Sequence, residues 1–227
     1  METIYSWLAH QGFGIKRNEL MDTAFTHSSY VNENKNVHHD NERLEFMGDA
    51  VLQIYSSTKL FAFKPELSEG KMTLFRSKLV NESALANYVR VHGLAQFLRL
   101  GVGEERSGGR DRDSILADMF EAFIGAYYLI KGFDEVCRLL DHLIASYFDE
   151  QELENLEDYK TKLQEFVQAD TRQTVTYEVV SMTGPSNAPM FEVIVKLEDL
   201  VLASGKGSSK KRAEQDAARS ALGKLAK

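Results

Sequence analysis

The sequence predicts two domains of different class: an all-α domain over residues 1–148, then a small α+β domain of order α-β-β-β-α over residues 158–227. Three observations carry this. Prolines are nearly absent from the first two thirds, Pro65 being the only one before Pro185. Apolar residues recur there every three to four positions, the spacing of a helix face. After residue 158 the pattern changes to short β-branched, alternating runs separated by turn residues.

The helical signal is clearest in Asn18–Phe25, Leu44–Phe61, Met72–Val91 and Ile115–Ile130. Loops are marked by Asn32-Glu33-Asn34-Lys35-Asn36, by Pro65–Gly70 and by Gly101–Arg112. Gly132 separates the fourth run from a last helix near Phe133–Phe148. Residues 149–157 hold five acidic residues in nine and read as a linker. Tyr159–Ala169 then reads as a short helix. Val175–Met182, Met190–Leu197 and Leu200–Gly205 read as strands, with a turn signal at Thr183–Asn187. Ser209–Ala226 is an alanine-rich helix with its basic residues early.

The chain has 227 residues and a formal charge of −7. That charge divides unevenly: residues 158–227 carry 11 Lys/Arg against 9 Asp/Glu, or +2, which leaves −9 on residues 1–157. A lone cysteine, Cys137, excludes an internal disulfide and paired CxxC zinc sites. No apolar run approaches the ~20 residues of a membrane span, and the first residues lack a signal-peptide pattern. A reducing, cytoplasmic setting without membrane contact is expected.

Chemistry concentrates in two helices. In Asn41-Glu42-Arg43-Leu44-Glu45-Phe46-Met47-Gly48-Asp49, the acidic residues Glu42, Glu45 and Asp49 fall on one stripe. Alone, that stripe reads first as the solvated face of an amphipathic helix rather than as a site. In Ser114–Ile130 apolar residues run almost all the way round, the mark of a buried helix, and its only carboxylates, Asp118 and Glu121, share a face with Ser114, Ala122 and Gly125. Small residues allow another helix to approach closely. Buried carboxylates without partners are costly, and no Lys or Arg lies in that stretch between them. Packing the two acidic faces around a divalent cation resolves both difficulties. Hard oxygen donors without Cys or His suit Mg²⁺, with Mn²⁺ as a substitute. Such a cage suits phosphodiester hydrolysis. Glycoside hydrolysis also uses paired carboxylates, but the single Trp7 lies far away in sequence.

Other motifs read as structural. His38-His39-Asp40 precedes a helix start, His27 sits at a helix end, Cys137 is a small core residue, and the glycine pairs near residues 101–109 follow no strand. The basic residues Arg99, Arg106, Arg110 and Arg112 mark Gly93–Arg112 as a candidate nucleic-acid contact. In Gly205-Lys206-Gly207-Ser208-Ser209-Lys210-Lys211-Arg212, glycines are expected to bring backbone N–H groups close to a ligand, and a serine to cap the helix. Three cations then sit on its first turn, against the helix dipole. An anionic partner, a phosphate backbone, would justify that conflict.

Three motifs together resemble a known family. The α-β-β-β-α order, with Lys160-Thr161 and Leu163-Gln164-Glu165 on the first helix and Gly-Ser-Ser-Lys-Lys on the last, resembles a double-stranded RNA-binding domain. Asn41–Leu52 resembles the signature of bacterial ribonuclease III, and Ser114–Ala122 its companion motif. The resemblance implies a homodimeric, Mg²⁺-dependent endoribonuclease that cleaves double-stranded RNA, leaving 5′-phosphate and 3′-hydroxyl ends with short 3′ overhangs, and needs no small-molecule cofactor. It implies that Glu45, Asp49, Asp118 and Glu121 hold the metal, with Asp49 and Glu121 catalytic, and that Glu42 and Glu69 are accessory acidic positions. It places Phe46 at the dimer interface. Thr161, Gln164, Glu165, Gln168, Asn187, Ser208, Ser209, Lys210 and Lys211 fall at RNA-contacting positions. Asn187 stands where relatives often carry histidine, Lys71 where an acidic residue is common, and Met47 replaces a usual leucine.

Overall fold

A computed structural model describes residues 2–64, 66–148, 158–171, 173–185 and 189–225. The chain divides into two compact units, Met1–Glu154 and Asn155–Lys227. The acidic segment 149–157 and Asn187 lie outside the described residues.

The first unit is helical: α1 (Ile4–His10), α2 (Glu19–Ala24), α3 (Ser28–Glu33), α4 (Glu42–Phe61), α5 (Glu69–Leu79), α6 (Glu82–Val91), α7 (Val102–Arg106), α8 (Asp113–Lys131) and α9 (Phe133–Ile144). Helix α8 is the axis. It buries eleven of its nineteen residues, including Phe120, Phe123 and Tyr127, against α2, α4, α6 and α9. Nearly continuous apolarity makes a helix sink into the core on every side. The run Met72–Val91, which reads as one helix in sequence, is two. The chain breaks after α5, and Asn81 restarts it: its side chain accepts from the Ala84 amide at 2.9 Å, capping α6.

Helices α4 and α8 cross at glycines. A Cβ on Gly48 would lie 1.7 Å from the Glu121 carbonyl oxygen, and one on Gly125 would lie 2.3 Å from the Leu44 carbonyl oxygen. No larger residue fits at either position without moving backbone. The crossing therefore brings Glu45 and the Asp118–Glu121 turn to one place.

The second unit has α10 (Tyr159–Thr171), the antiparallel strands β1 (Val175–Thr183), β2 (Met190–Leu197) and β3 (Leu200–Gly207), and α11 (Lys210–Leu225). The sheet order is β1-β2-β3. Leu163, Val167, Val175, Val195, Ala203, Ala217 and Ala221 form its core. The alanines of α11 are a packing face: β3 lies so close that a Cβ on Gly205 would meet the Ala217 amide nitrogen at 2.1 Å. The same holds at Gly207, 2.6 Å from the Ala213 nitrogen. These two glycines serve helix–sheet contact.

Among the described residues no helix is long and apolar enough to cross a membrane.

Candidate active site and nucleic-acid interface

One carboxylate oxygen from each of Glu45, Asp118 and Glu121 lies within 4.8 Å of the other two. Ligands on opposite sides of an octahedral Mg²⁺ are about 4.2 Å apart, twice the Mg–O distance of ~2.1 Å. At most one of the three pairs can be opposite, and adjacent ligands stand about 3.0 Å apart, so the side chains must draw inward to share a cation; all three are hard donors. The cluster fits a divalent ion.

Its electrostatics point the same way. Burial raises the Glu121 carboxyl to about 8, helped by the charges of Asp49, Glu45 and Asp118. Burial, then Asp118, Glu42 and Asp49, raises Glu45. Burial and Glu82 raise Asp118, against an opposing contribution from His27. None of the three has a cationic side chain among the causes of its shift except His27. Crowded, half-desolvated carboxylates hold protons unless a cation replaces them.

Beside the cluster opens a polar cavity of about 270 Å³ lined by His27, Ser28, Asn41, Glu42, Glu45 and Asp118. Glu42, the accessory residue of the acidic stripe, is exposed on its wall. Asp49 stands apart from the three-residue cluster. It is exposed, its Oδ1 accepts from Gln53 Nε2 at 3.3 Å, and its charge still reaches Glu121. Glu69 lies elsewhere: it opens α5, its Oε1 accepts from Thr73 Oγ1 at 3.0 Å, and it lines a different cavity with Phe61 and Arg76. Phe46 projects from α4 with 79% of its surface exposed. The same helix also exposes Ile54 and Phe61.

Two acidic-site neighbours escape sequence reading. Glu82, at the start of α6, acts on Asp118. Asn41 lines the cavity although it is 3% exposed. His27 caps α3, its Nδ1 accepting the Ser29 amide at 3.2 Å. Asp40 accepts from the Glu42 amide at 3.3 Å, which makes His38-His39-Asp40 the approach to α4.

In the basic segment Gly93–Arg112 most of the arginines have partners within the chain. Arg99 donates to the Asp22 carbonyl and Thr26 Oγ1 and lies over the Tyr30 ring. Arg110 donates to the carbonyls of Ala95 and Leu98 and pairs with Glu105 at 2.5 Å. Arg112 pairs with Glu104 at 2.8 Å. Three of the four guanidinium groups are engaged in holding loops to helices; Arg106 is the exposed one left over.

In the second unit, Ser209 Oγ accepts from the Arg212 amide at 3.2 Å and so caps α11. Ser208 Oγ accepts from Arg212 Nη1 at 3.1 Å. Lys210 and Lys211 are exposed on the first turn, Lys210 4.0 Å from Glu214. On α10, Thr161 is tied to Asp158 by its amide and hydroxyl, whereas Glu165 and Gln168 are exposed. Gln164 is turned inward: its Nε2 donates to the Gln173 carbonyl and its Oε1 accepts from the Val175 amide, both at 3.1 Å. Both ends of that amide serve to join α10 to β1.

A helical domain with a carboxylate cluster fit for a divalent cation, followed by an α-β-β-β-α domain with a basic helix start, defines a two-domain nuclease with its own RNA-binding module. Residues 17–148 match the family model described as ribonuclease-III-like, and residues 159–225 match the double-stranded RNA binding motif. The chain is 47% identical over 222 residues to the ribonuclease 3 of Streptococcus equi subsp. zooepidemicus, covering 96% of each chain. It is 48% identical over the same share to that of Streptococcus pyogenes serotype M2. A solved nuclease domain of ribonuclease III from Campylobacter jejuni, described for flexibility in a region involved in dimer formation, matches at 34% identity and a TM-score of 0.56, covering 63% of this chain and 99% of that one. The chain belongs to the ribonuclease III family.

Proposed function

We infer that the protein is an endoribonuclease that hydrolyses the phosphodiester backbone of double-stranded RNA with Mg²⁺, Mn²⁺ substituting. The observation that carries this is the cluster of Glu45, Asp118 and Glu121 at the α4–α8 crossing. Together with Asp49 these residues hold the cation. A bound Mg²⁺ polarises a phosphate oxygen and makes a water acidic enough to attack phosphorus. Glu121, half-buried at the crossing, takes the proton of that water. Asp49, on the solvent side, orients it. Glu42 and Glu69 are accessory acidic groups.

The second domain supplies affinity. Lys210 and Lys211 clamp phosphates at the capped start of α11, with Ser208 and Ser209 beside them on the RNA, and Thr161, Glu165, Gln168 and Asn187 contact the minor groove, where 2′-hydroxyls identify RNA. Gln164 joins them only by releasing its internal bonds. Segment 149–157 links domains 1–148 and 158–227. Two copies pair through Phe46, so that both strands are cut and products carry 5′-phosphate, 3′-hydroxyl ends and short 3′ overhangs. Structured RNA precursors in the cytoplasm, ribosomal and messenger, are the substrates.

The test is incubation of long double-stranded RNA of arbitrary sequence with the protein in Mg²⁺, in Mn²⁺ and in chelator, with end analysis of the products. Cleavage in the first two alone, with 5′-phosphate ends, is expected. Intact RNA in both metals contradicts the proposal.

A further inference from the structure

The Asn41 carboxamide is an anomaly on the wall of the acidic cavity. Asn41 occupies the N-cap position of α4, where asparagine ordinarily accepts from an amide of the first turn. Here its side chain makes no capping bond, and Asp40 accepts from the Glu42 amide instead. The Asn41 backbone is fully used: its N–H donates to the Thr26 carbonyl, and its carbonyl accepts from the Leu44 and Glu45 amides, all at 2.9 Å. The side chain is 97% buried, yet its Nδ2 has no hydrogen-bond partner among the described residues. The carboxylates of Glu42, Glu45 and Asp118 line the same cavity and take no bond from it. An apolar residue would fill this volume without leaving a buried donor unmade. Asn41 thus brings an unmade buried donor to the wall of a polar space of about 270 Å³, room for several waters.

We propose that Asn41 is a positioning residue whose Nδ2–H donates to an oxygen brought into the cavity, either in the water shell of the divalent cation or on an RNA phosphate. The proposal rests on the nuclease reading above. The bond also couples that oxygen to Glu45, whose amide is held by the Asn41 carbonyl. The donor is neutral. It therefore fixes an oxygen among carboxylates without weakening their hold on a cation, as a lysine there would.

The test compares full-length wild type with Asn41→Leu, which removes the donor at similar volume, and Asn41→Ser, which keeps an O–H donor. Three quantities are measured: thermal unfolding without metal, Mn²⁺ affinity by calorimetry without RNA, and KM and kcat on double-stranded RNA in Mg²⁺. Asn41→Leu is expected to unfold no lower than wild type, because the unmade donor is gone. It should nevertheless lose about threefold to tenfold, one hydrogen bond's worth. Loss of Mn²⁺ affinity assigns the oxygen to the cation's water shell. Unchanged Mn²⁺ affinity with KM raised by that factor assigns it to phosphate. Asn41→Ser should recover part of either loss. Mn²⁺ affinity and KM both within twofold of wild type overturn the proposal. So does a Leu variant that unfolds lower with a Ser variant equally impaired, which marks a packing role. A wild type that leaves RNA intact contradicts the nuclease reading instead, and the Mn²⁺ comparison still decides Asn41.

Discussion

Gly48 and Glu121 meet where a single methyl group would not fit: a Cβ on Gly48 would stand 1.7 Å from the Glu121 carbonyl oxygen. The proposed active site depends on that contact, because Glu45 comes from one helix of the crossing, and Asp118 and Glu121 from the other. Gly48→Ala is expected to cost about 3 kcal/mol or more, the upper end of overpacking, since the obstacle is backbone. Urea unfolding measures this. Cleavage should fall with it, as the helices separate and the carboxylates spread. A variant of wild-type stability would show that the crossing tolerates a shift.

The raised Glu121 carboxyl makes stability depend on pH. Its folded value of about 8 lies above the ordinary 4.5. It therefore stabilises the metal-free fold while protonated. That contribution is complete below about pH 4.5 and is lost as pH rises towards 8. In chelator, the unfolding temperature should decline across this window, and Glu121→Gln should flatten the decline and unfold higher than wild type at pH 8. Added Mg²⁺ should raise the wild type at pH 8 and the variant much less. A flat wild-type profile in chelator contradicts the assignment.

Lys210→Ala with Lys211→Ala should weaken binding equally on RNAs of different sequence. The slope of log affinity against log salt should flatten by roughly one unit per lost phosphate contact. Filter binding at several salt concentrations tests both points. A sequence-dependent loss, or an unchanged slope, speaks against a phosphate clamp.

Phe46→Lys addresses pairing of the two copies. Burying a phenylalanine contributes about 1.5–3 kcal/mol, and two-fold symmetry counts it twice. The dimer should weaken by roughly a hundredfold or more, read by light scattering across a dilution series. A wild type that is monomeric at micromolar concentration removes the basis for this role.

Much of this was legible in the sequence because the signals are local. Periodicity marks α4 and α8 as helices, and the near-continuous apolarity of α8 announces its burial. The absence of Lys and Arg from Ser114–Ile130 announces a need for a cation beside Asp118 and Glu121. What was not legible depends on partners distant in the chain. Gly48 looks like an ordinary helix glycine until Glu121 is placed against it. Glu82 reaches Asp118 from α6 across a long stretch of sequence. Arg99 and Arg110 read as free cations, because nothing in their neighbourhood reveals that carbonyls of Asp22, Ala95 and Leu98 claim them. Gln164 looks like a surface glutamine until β1 supplies its partners. The packing role of the β3 glycines was not legible because their contact with α11 is tertiary.

The central claim is that the α4–α8 carboxylate cluster cuts the RNA that the second domain holds. The most direct measurement compares wild type with Glu121→Gln on one double-stranded RNA in Mg²⁺, reading binding and cleavage side by side. Wild type should cut. Glu121→Gln should bind within about twofold of wild type and cut slower by roughly a hundredfold or more, the loss expected for a group that moves a proton. A wild type that binds but leaves the RNA intact in Mg²⁺ and in Mn²⁺, or a Glu121→Gln variant that cuts at the wild-type rate, would contradict the account.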